Sequence, residues 1–217
     1  MQKSVAIQSG EPVEMALLGE HHPLVQQLGC AEELHQLGQV SEQLQMPPVQ
    51  DLDTLRRFLK TYQSRVLMPL ELPSIHQAYL HAASNRLREL IELDGRITAA
   101  SQSRELSSAS RRIGQTELKR LRPLRDVRVL QRYLRAVESH EAEGWHTVVF
   151  GLTLAIYSVP LRQGLLGYSQ QVIRGFIQMA GKRFSISTIE IEELIDELNA
   201  PLPIALGSLL LLEQFDR

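Results

Sequence analysis

The feature that most constrains this chain is an apolar run from Val148 to Val159, with Gly151 and Thr153 inside it and Pro160 at its end. Twelve residues are too few to cross a bilayer, which takes about 20. As a helix, the segment Thr147 to Ser158 is apolar nearly all round, so it needs neighbours on every side. A chain built about such a segment has to surround it with further helices.

The rest of the sequence supplies them. Leu55, Phe58, Leu59, Tyr62 and Val66 recur at helical spacing after Asp51 or Asp53 as N-cap. Pro69 and Pro73 punctuate the next connection. From Ser74 the pattern Ile75, Tyr79, Ala82, Ala83, Leu87, Leu90, Ile91 runs towards Ala100, with Gly95 its weak spot. Leu106, Ala109, Ile113, Thr116 and Leu121 trace another helix that stops before Pro123. Arg125 to Glu138 is expected to turn Val129, Leu130, Tyr133, Leu134 and Val137 inward. Pro160 opens a helix to about Ala180. Ser187 with Glu190 forms a capping box that starts a helix to Asn199. Pro201 and Pro203 precede a last segment carrying Leu209 to Leu212. Over the first 50 residues, helices at about 13–28 and 31–45 are expected, joined near Gly29 and stopped by Pro47-Pro48. Alternating β-branched runs, internal repeats and long linkers are lacking, which predicts a single all-α domain over residues 1–217 with nine or ten helices. At 24.6 kDa the chain can bury a sizeable core without staples. The lone Cys30 excludes an internal disulfide and a cysteine-based zinc finger. The N-terminus lacks the charged-then-apolar layout of a signal peptide, so a soluble, cytoplasmic protein away from membranes is expected.

Catalytic patterns are scarce. The sequence has no Gly-rich phosphate loop ending in Lys-Ser or Lys-Thr, no G-x-S-x-G elbow and no H-E-x-x-H. His21 and His22 are adjacent and His76 and His81 five apart, poor spacings for one helix face. His140 and His146 flank Glu141, Glu143 and Gly144 in a loop that could offer metal ligands, but exposed loop residues are the default reading. Glu190, Glu192, Glu193, Asp196 and Glu197 read as a solvated face rather than an acid/base pair. No enzyme, cofactor or metal site is expected.

Charge is more informative. The formal total is −2, yet nine bases lie between Arg111 and Arg135 against only Glu117 and Asp126. Residues 138–217 carry ten acids and five bases. The basic strip admits three readings: a solvated face over Leu, a dock for an acidic protein surface, or a nucleic-acid contact. The last lacks aromatic interleaving, with only Tyr133 inside the strip. Just upstream, Ser107, Ala109, Ser110 and Gly114 give one helix flank small side chains, which lets another segment approach closely. Gly114 costs about 1 kcal/mol of helix propensity relative to Ala, so close packing is a reason for it.

Four segments together carry a resemblance: D-L-D-T-L-R-R-F-L (51–59), S-R-E-L-S-S-A-S-R-R-I-G (103–114), Y-L-R-A-V-E (133–138) and G-W-H-T-V-V-F-G-L (144–152). With P-L-R-Q-G-L-L-G-Y-S-Q-Q-V-I-R-G (160–175), they resemble the urease accessory protein UreF family in order and spacing over roughly residues 50–180. The ends depart from the family pattern: the N-terminal signature has only an echo in Pro23 to Leu34, and residues 181–190 and 204–217 differ from the usual stretches. In the family the tail helps dock UreD (also called UreH). The resemblance implies an all-α, non-catalytic adaptor that forms homodimers. It would bind UreD/UreH and the GTPase UreG and assist nickel insertion into apo-urease. Matching positions are Glu105, Ala109, Ser110, Gly114, His146, Gly151 and Tyr168, most of them architectural in character. The partner-binding set it implies is Glu105, Arg111, Arg112, Gly114, His146 and Tyr168. The rival reading is a helical nucleic-acid- or protein-binding adaptor unrelated to urease, using the strip 111–135.

Overall fold

The computed structural model describes residue 45 and residues 49–100 and 104–215. The helix expected at 13–28, Cys30, and all but the last residue of the helix expected at 31–45 lie outside the described residues; that last residue, Gln45, is in a turn. Among the described residues the fold is all-α, with no strand. In chain order the elements are α1 (Leu52–Tyr62), a π-helical segment (Gln63–Glu71), α2 (Leu72–Ala83), α3 (Leu87–Ala100), α4 (Arg104–Arg120), α5 (Arg128–Glu138), α6 (His146–Ile156), α7 (Leu161–Phe184), α8 (Thr188–Asn199) and α9 (Leu202–Phe215).

The first helix starts where its chemistry dictates. Asp51 Oδ1 accepts the Thr54 N–H at 2.8 Å, and the Thr54 hydroxyl oxygen accepts the Asp51 N–H at 3.0 Å, a reciprocal capping box. Leu55, Phe58, Leu59 and Tyr62 then point inward. The connection expected at Pro69 and Pro73 does not form; the chain stays helical from Leu52 to Ala83. The turn widens instead: the Leu72 N–H reaches the Leu67 carbonyl, five residues back. A widened turn accommodates a ring that would strike an α-helical carbonyl and lacks an N–H to give. Tyr62 Oη donates to Glu71 Oε1 at 2.8 Å and ties the two ends of the segment together.

The helix expected from Ser74 to Ala100 is two helices. Asn85 takes a left-handed backbone (φ 54°) between them, a conformation Asn tolerates better than most residues. Its apolar pattern continues across the break because α2 and α3 fold against each other and serve the same core. Gly95, the expected weak spot, sits within α3 without interrupting it.

Two apolar clusters result. One gathers α1, the π-helical segment, α7, α8 and α9 about Phe58, Tyr62, Phe176 and Leu194. The other gathers α3, α4, α5 and α6 about Leu90, Leu118, Tyr133 and Val148. Helices α2, α4 and α6 contribute to both. As its composition requires, α6 is buried at every position from His146 to Leu154. It lies along α2 at Gly151, where a Cβ would stand 2.4 Å from the Ile75 carbonyl oxygen and 2.7 Å from Ala78 Cβ. Backbone cannot rotate aside, so Gly151→Ala should cost about 3 kcal/mol, the upper end for overpacking. Urea unfolding followed by circular dichroism measures it; a change below about 1 kcal/mol would show that α2 and α6 can separate without penalty.

The Ser187–Glu190 capping box is present, with Glu190 N–H donating to Ser187 Oγ at 3.3 Å. Of the acidic face, Glu190, Glu192, Glu193 and Asp196 are exposed. Glu197 joins α8 to α1 through Lys60 Nζ at 2.6 Å and Arg56 Nε at 3.0 Å. The Lys60 ammonium, with Arg56, holds the Glu197 carboxyl below its ordinary range. By length and composition Thr188–Leu211 could cross a membrane. Here it is two helices that turn at Ala200 and Pro201, with Leu194, Ile195, Leu198, Leu202 and Leu206 in the core.

A buried clamp beneath a candidate docking face

Between α5 and α6 the chain makes a short connection, residues 139–145, whose last part runs inside the protein. Buried backbone needs partners, and a carboxylate from α3 provides most of them. Asp94, 1% exposed, accepts the N–H groups of Glu143 (2.7 Å), Gly144 (3.0 Å) and Trp145 (3.3 Å) and the hydroxyl of Tyr133 (2.5 Å). Four donors offset the cost of removing the carboxyl from water. Its place at the start of α6 also suits the positive end of that helix dipole. Burial first, and the Asp94 carboxylate second, push the Tyr133 hydroxyl well above the ordinary tyrosine range.

Helix α4 closes the clamp from the other side. Gln115 Nε2 donates to the Glu143 carbonyl at 2.8 Å, and Arg111 Nη1 pairs with Glu143 Oε2 at 2.9 Å. The Arg111 guanidinium also lies 5.7 Å from the centre of the Trp145 ring, within cation–π range. Trp145 Nε1 donates to Thr98 Oγ1 on α3 at 2.9 Å, and the His146 N–H reaches Ser110 Oγ at 3.3 Å. The small flank of α4 is thus used within the chain. A Cβ on Gly114 would stand 2.1 Å from the Gly144 carbonyl oxygen and 2.7 Å from His146 N.

His146 and Tyr168 meet just beyond the clamp. Their rings stack at 5.8 Å, and Tyr168 also meets Phe150 edge-on at 4.9 Å, which ties α6 to α7. Burial, then the nearby Glu71 carboxylate, pushes the Tyr168 hydroxyl well above its ordinary range. The loop reading of His140 and His146 holds for half of the pair: His140 is exposed in the connection, whereas His146 is the first residue of α6 and buried. Among the described residues no three of His, Cys, Asp and Glu gather as a metal site would require.

Of the six residues expected to bind partners, the structure brings Arg111, Gly114, His146 and Tyr168 together along one path through the interior. Gly114, His146 and Tyr168 are buried, Arg111 is half-buried, and Arg112 on the same helix is exposed. Glu105 lies in the first turn of α4. Asp94 and Glu143, the centre of the clamp, were not among the expected residues; an acid beside Gly95 in an amphipathic helix carries no sign of its distant partners.

Outside the clamp, the basic strip divides. Arg111 pairs with Glu143, Arg120 with Glu117, and Arg122 with Glu138. Arg112, Lys119, Arg125, Arg128, Arg132 and Arg135 are exposed and make no ion pair with another described residue.

Comparison with known proteins places these elements in a family. The UreF family model matches residues 49–199, from α1 to the end of α8. A urease accessory protein UreF of Ureaplasma urealyticum serovar 10 (strain ATCC 33699 / Western) is 23% identical over 148 residues. That alignment takes in 68% of this chain and 63% of the relative's length.

Proposed function

This chain belongs to the UreF family, and on that premise we propose that it is a cytoplasmic urease accessory adaptor. In this reading it has no catalytic role and no cofactor of its own. It acts as a homodimer that assembles with UreD/UreH and the GTPase UreG and so assists nickel insertion into apo-urease, the metal being cargo rather than a resident ion. The observation that carries the reading is the family match across residues 49–199. The Ureaplasma relative, a urease accessory protein UreF, agrees with it.

The arrangement suits an adaptor. Gly114, His146 and Tyr168 would act by holding α4, α6 and α7 in fixed relation, and the exposed bases of α4 and α5 would meet the partner. Electrostatic matching of this kind chiefly sets encounter rate and specificity. The test is co-expression of this chain, tagged, with UreD/UreH, UreG and apo-urease, followed by size-exclusion chromatography and a urease assay with added nickel. The expected result is a co-eluting complex and urease activity that depends on this chain. Elution alone, with urease activated equally well in its absence, would reject the reading.

Charge reversal refines the test. Arg112→Glu should weaken capture of UreG or UreD/UreH while leaving circular dichroism unchanged. Arg111→Glu makes a poorer probe of docking, because it also removes the Glu143 pair and the contact with Trp145. Full capture by the Arg112 variant would remove that residue from the interface.

A further inference from the structure

We propose that the outer face of α5 is a docking surface for an acidic amphipathic helix of a partner protein. This presupposes the adaptor role above and narrows it to one helix and one kind of ligand. The inner face of α5 is committed to the core through Val129, Leu130, Tyr133, Leu134 and Ala136. The opposite face carries Arg128, Arg132 and Arg135, all exposed, at positions i, i+4 and i+7. That spacing sets three guanidinium groups in a stripe about 10 Å long on a helix that cannot easily shift.

These cations are available for pairing, although Arg135 Nε donates to the Gln131 carbonyl of its own helix at 3.3 Å. No ion pair joins them to another described residue, and the nearest acid on their own helix, Glu138, is already paired with Arg122. Beside the stripe runs a shallow groove of about 500 Å³ lined by Leu87, Arg132, Arg135, Ala136, Ser139 and two acids, Glu138 and Glu141. Leu87, half-buried, is its apolar part, the point a helix would cover with an aliphatic side chain. Carboxylates repeating at i, i+4 and i+7 on the incoming helix would match the arginines, each guanidinium offering a fork suited to one carboxylate.

A nucleic-acid backbone fits less well. Glu138 and Glu141 at the edge of the stripe repel either kind of anion. A helix, however, can set its carboxylates on the arginines alone, whereas a phosphate backbone carries charge along its whole length. The one aromatic of α5, Tyr133, is fully buried and offers no base a surface to stack on.

The test uses the full chain and a fluorescein-labelled synthetic helix with Glu at i, i+4 and i+7 and Leu on the adjoining flank. Fluorescence anisotropy at low and physiological salt reads its affinity. Combined Arg128→Glu, Arg132→Glu and Arg135→Glu should weaken binding about tenfold or more. An equal charge change elsewhere, Arg57→Glu, Arg162→Glu and Arg174→Glu, should weaken it no more than about twofold, because exposed charges act over only about 8 Å at physiological salt. Circular dichroism of both variants should match the parent, since all six side chains are exposed.

Equal weakening by the two triple variants would overturn the proposal, since long-range charge alone would then explain binding. Displacement of the peptide by duplex RNA at lower concentration would overturn it in favour of a nucleic-acid face. Loss of self-association in the α5 variant alone would assign the face to a second copy of this chain. Should the parent chain still co-purify with UreD/UreH and UreG in any of these cases, the adaptor reading stands and only the α5 face fails. Should it co-purify with neither, the adaptor reading itself fails, whatever the peptide does.

Discussion

Asp94→Asn is expected to lower the thermal midpoint by about 10 °C, from a loss of about 3 kcal/mol. Asparagine keeps the shape of the side chain but turns one acceptor oxygen into a donor. At best the amide retains the three donors at Oδ2, from Gly144, Trp145 and Tyr133, and confronts the Glu143 N–H with another N–H. The three bonds that remain lose their charge assistance, which makes them roughly half as strong. Trp145 is the only tryptophan in the chain and is buried in the clamp, so its fluorescence reports the site directly. A red shift of its emission should accompany the loss of stability. An unshifted spectrum with a midpoint within about 2 °C of the parent would mean that other contacts hold the connection.

Gly114→Ala is the second large effect expected, and its sign runs against local propensity. Alanine is the better helix former by about 1 kcal/mol, yet its Cβ would stand 2.1 Å from the Gly144 carbonyl oxygen, 2.7 Å from His146 N and 2.8 Å from the Trp145 carbonyl carbon. All three are backbone atoms held by the clamp. Relief requires α4 to withdraw or the connection to lift off Asp94, for a net cost of about 3 kcal/mol. Gly95→Ala is the matched control, because nothing lies within 4 Å of a Cβ there and the site is exposed. It should stabilise the protein by up to about 1 kcal/mol. Equal effects at the two glycines in chemical unfolding would refute the close approach of α4. Because Asp94→Asn and Gly114→Ala disturb the same connection, their combined cost should fall short of the sum.

Much of the fold was legible in the residues because its signals are local or periodic. Asp51 and Ser187 announce helix starts through chemistry completed three residues later. The small flank of α4 signalled a close approach, although not that the approaching atoms would be the backbone ahead of α6. The collinear motifs between residues 51 and 175 pointed to the UreF family, whose model matches residues 49–199. The proline rule failed at Pro69 for an identifiable reason. It assumes α-helical hydrogen bonding, and a wider turn removes the clash.

The candidate site was half legible. Arg111, Gly114, His146 and Tyr168 were singled out, but what each does depends on groups far away in sequence. Arg111 looks like a surface cation until Glu143, 32 residues on, takes it up. His146 looks like a loop residue until Tyr168 covers it. Asp94 lies 49 to 51 residues before the N–H groups it binds.

Sequence alone therefore determined the helical class, most of the helix starts and the burial of α6, since an all-apolar helix between polar segments has only one stable place. Tertiary structure decided which charges are spent inside the protein and which remain outside. A buried carboxylate is tolerable only where several donors converge on it, and that convergence arises only when α3, α4, α5 and the start of α6 are brought together. The near-neutral chain consequently presents a folded basic stripe on α5, while other arginines of the same run are already held by acids of its own.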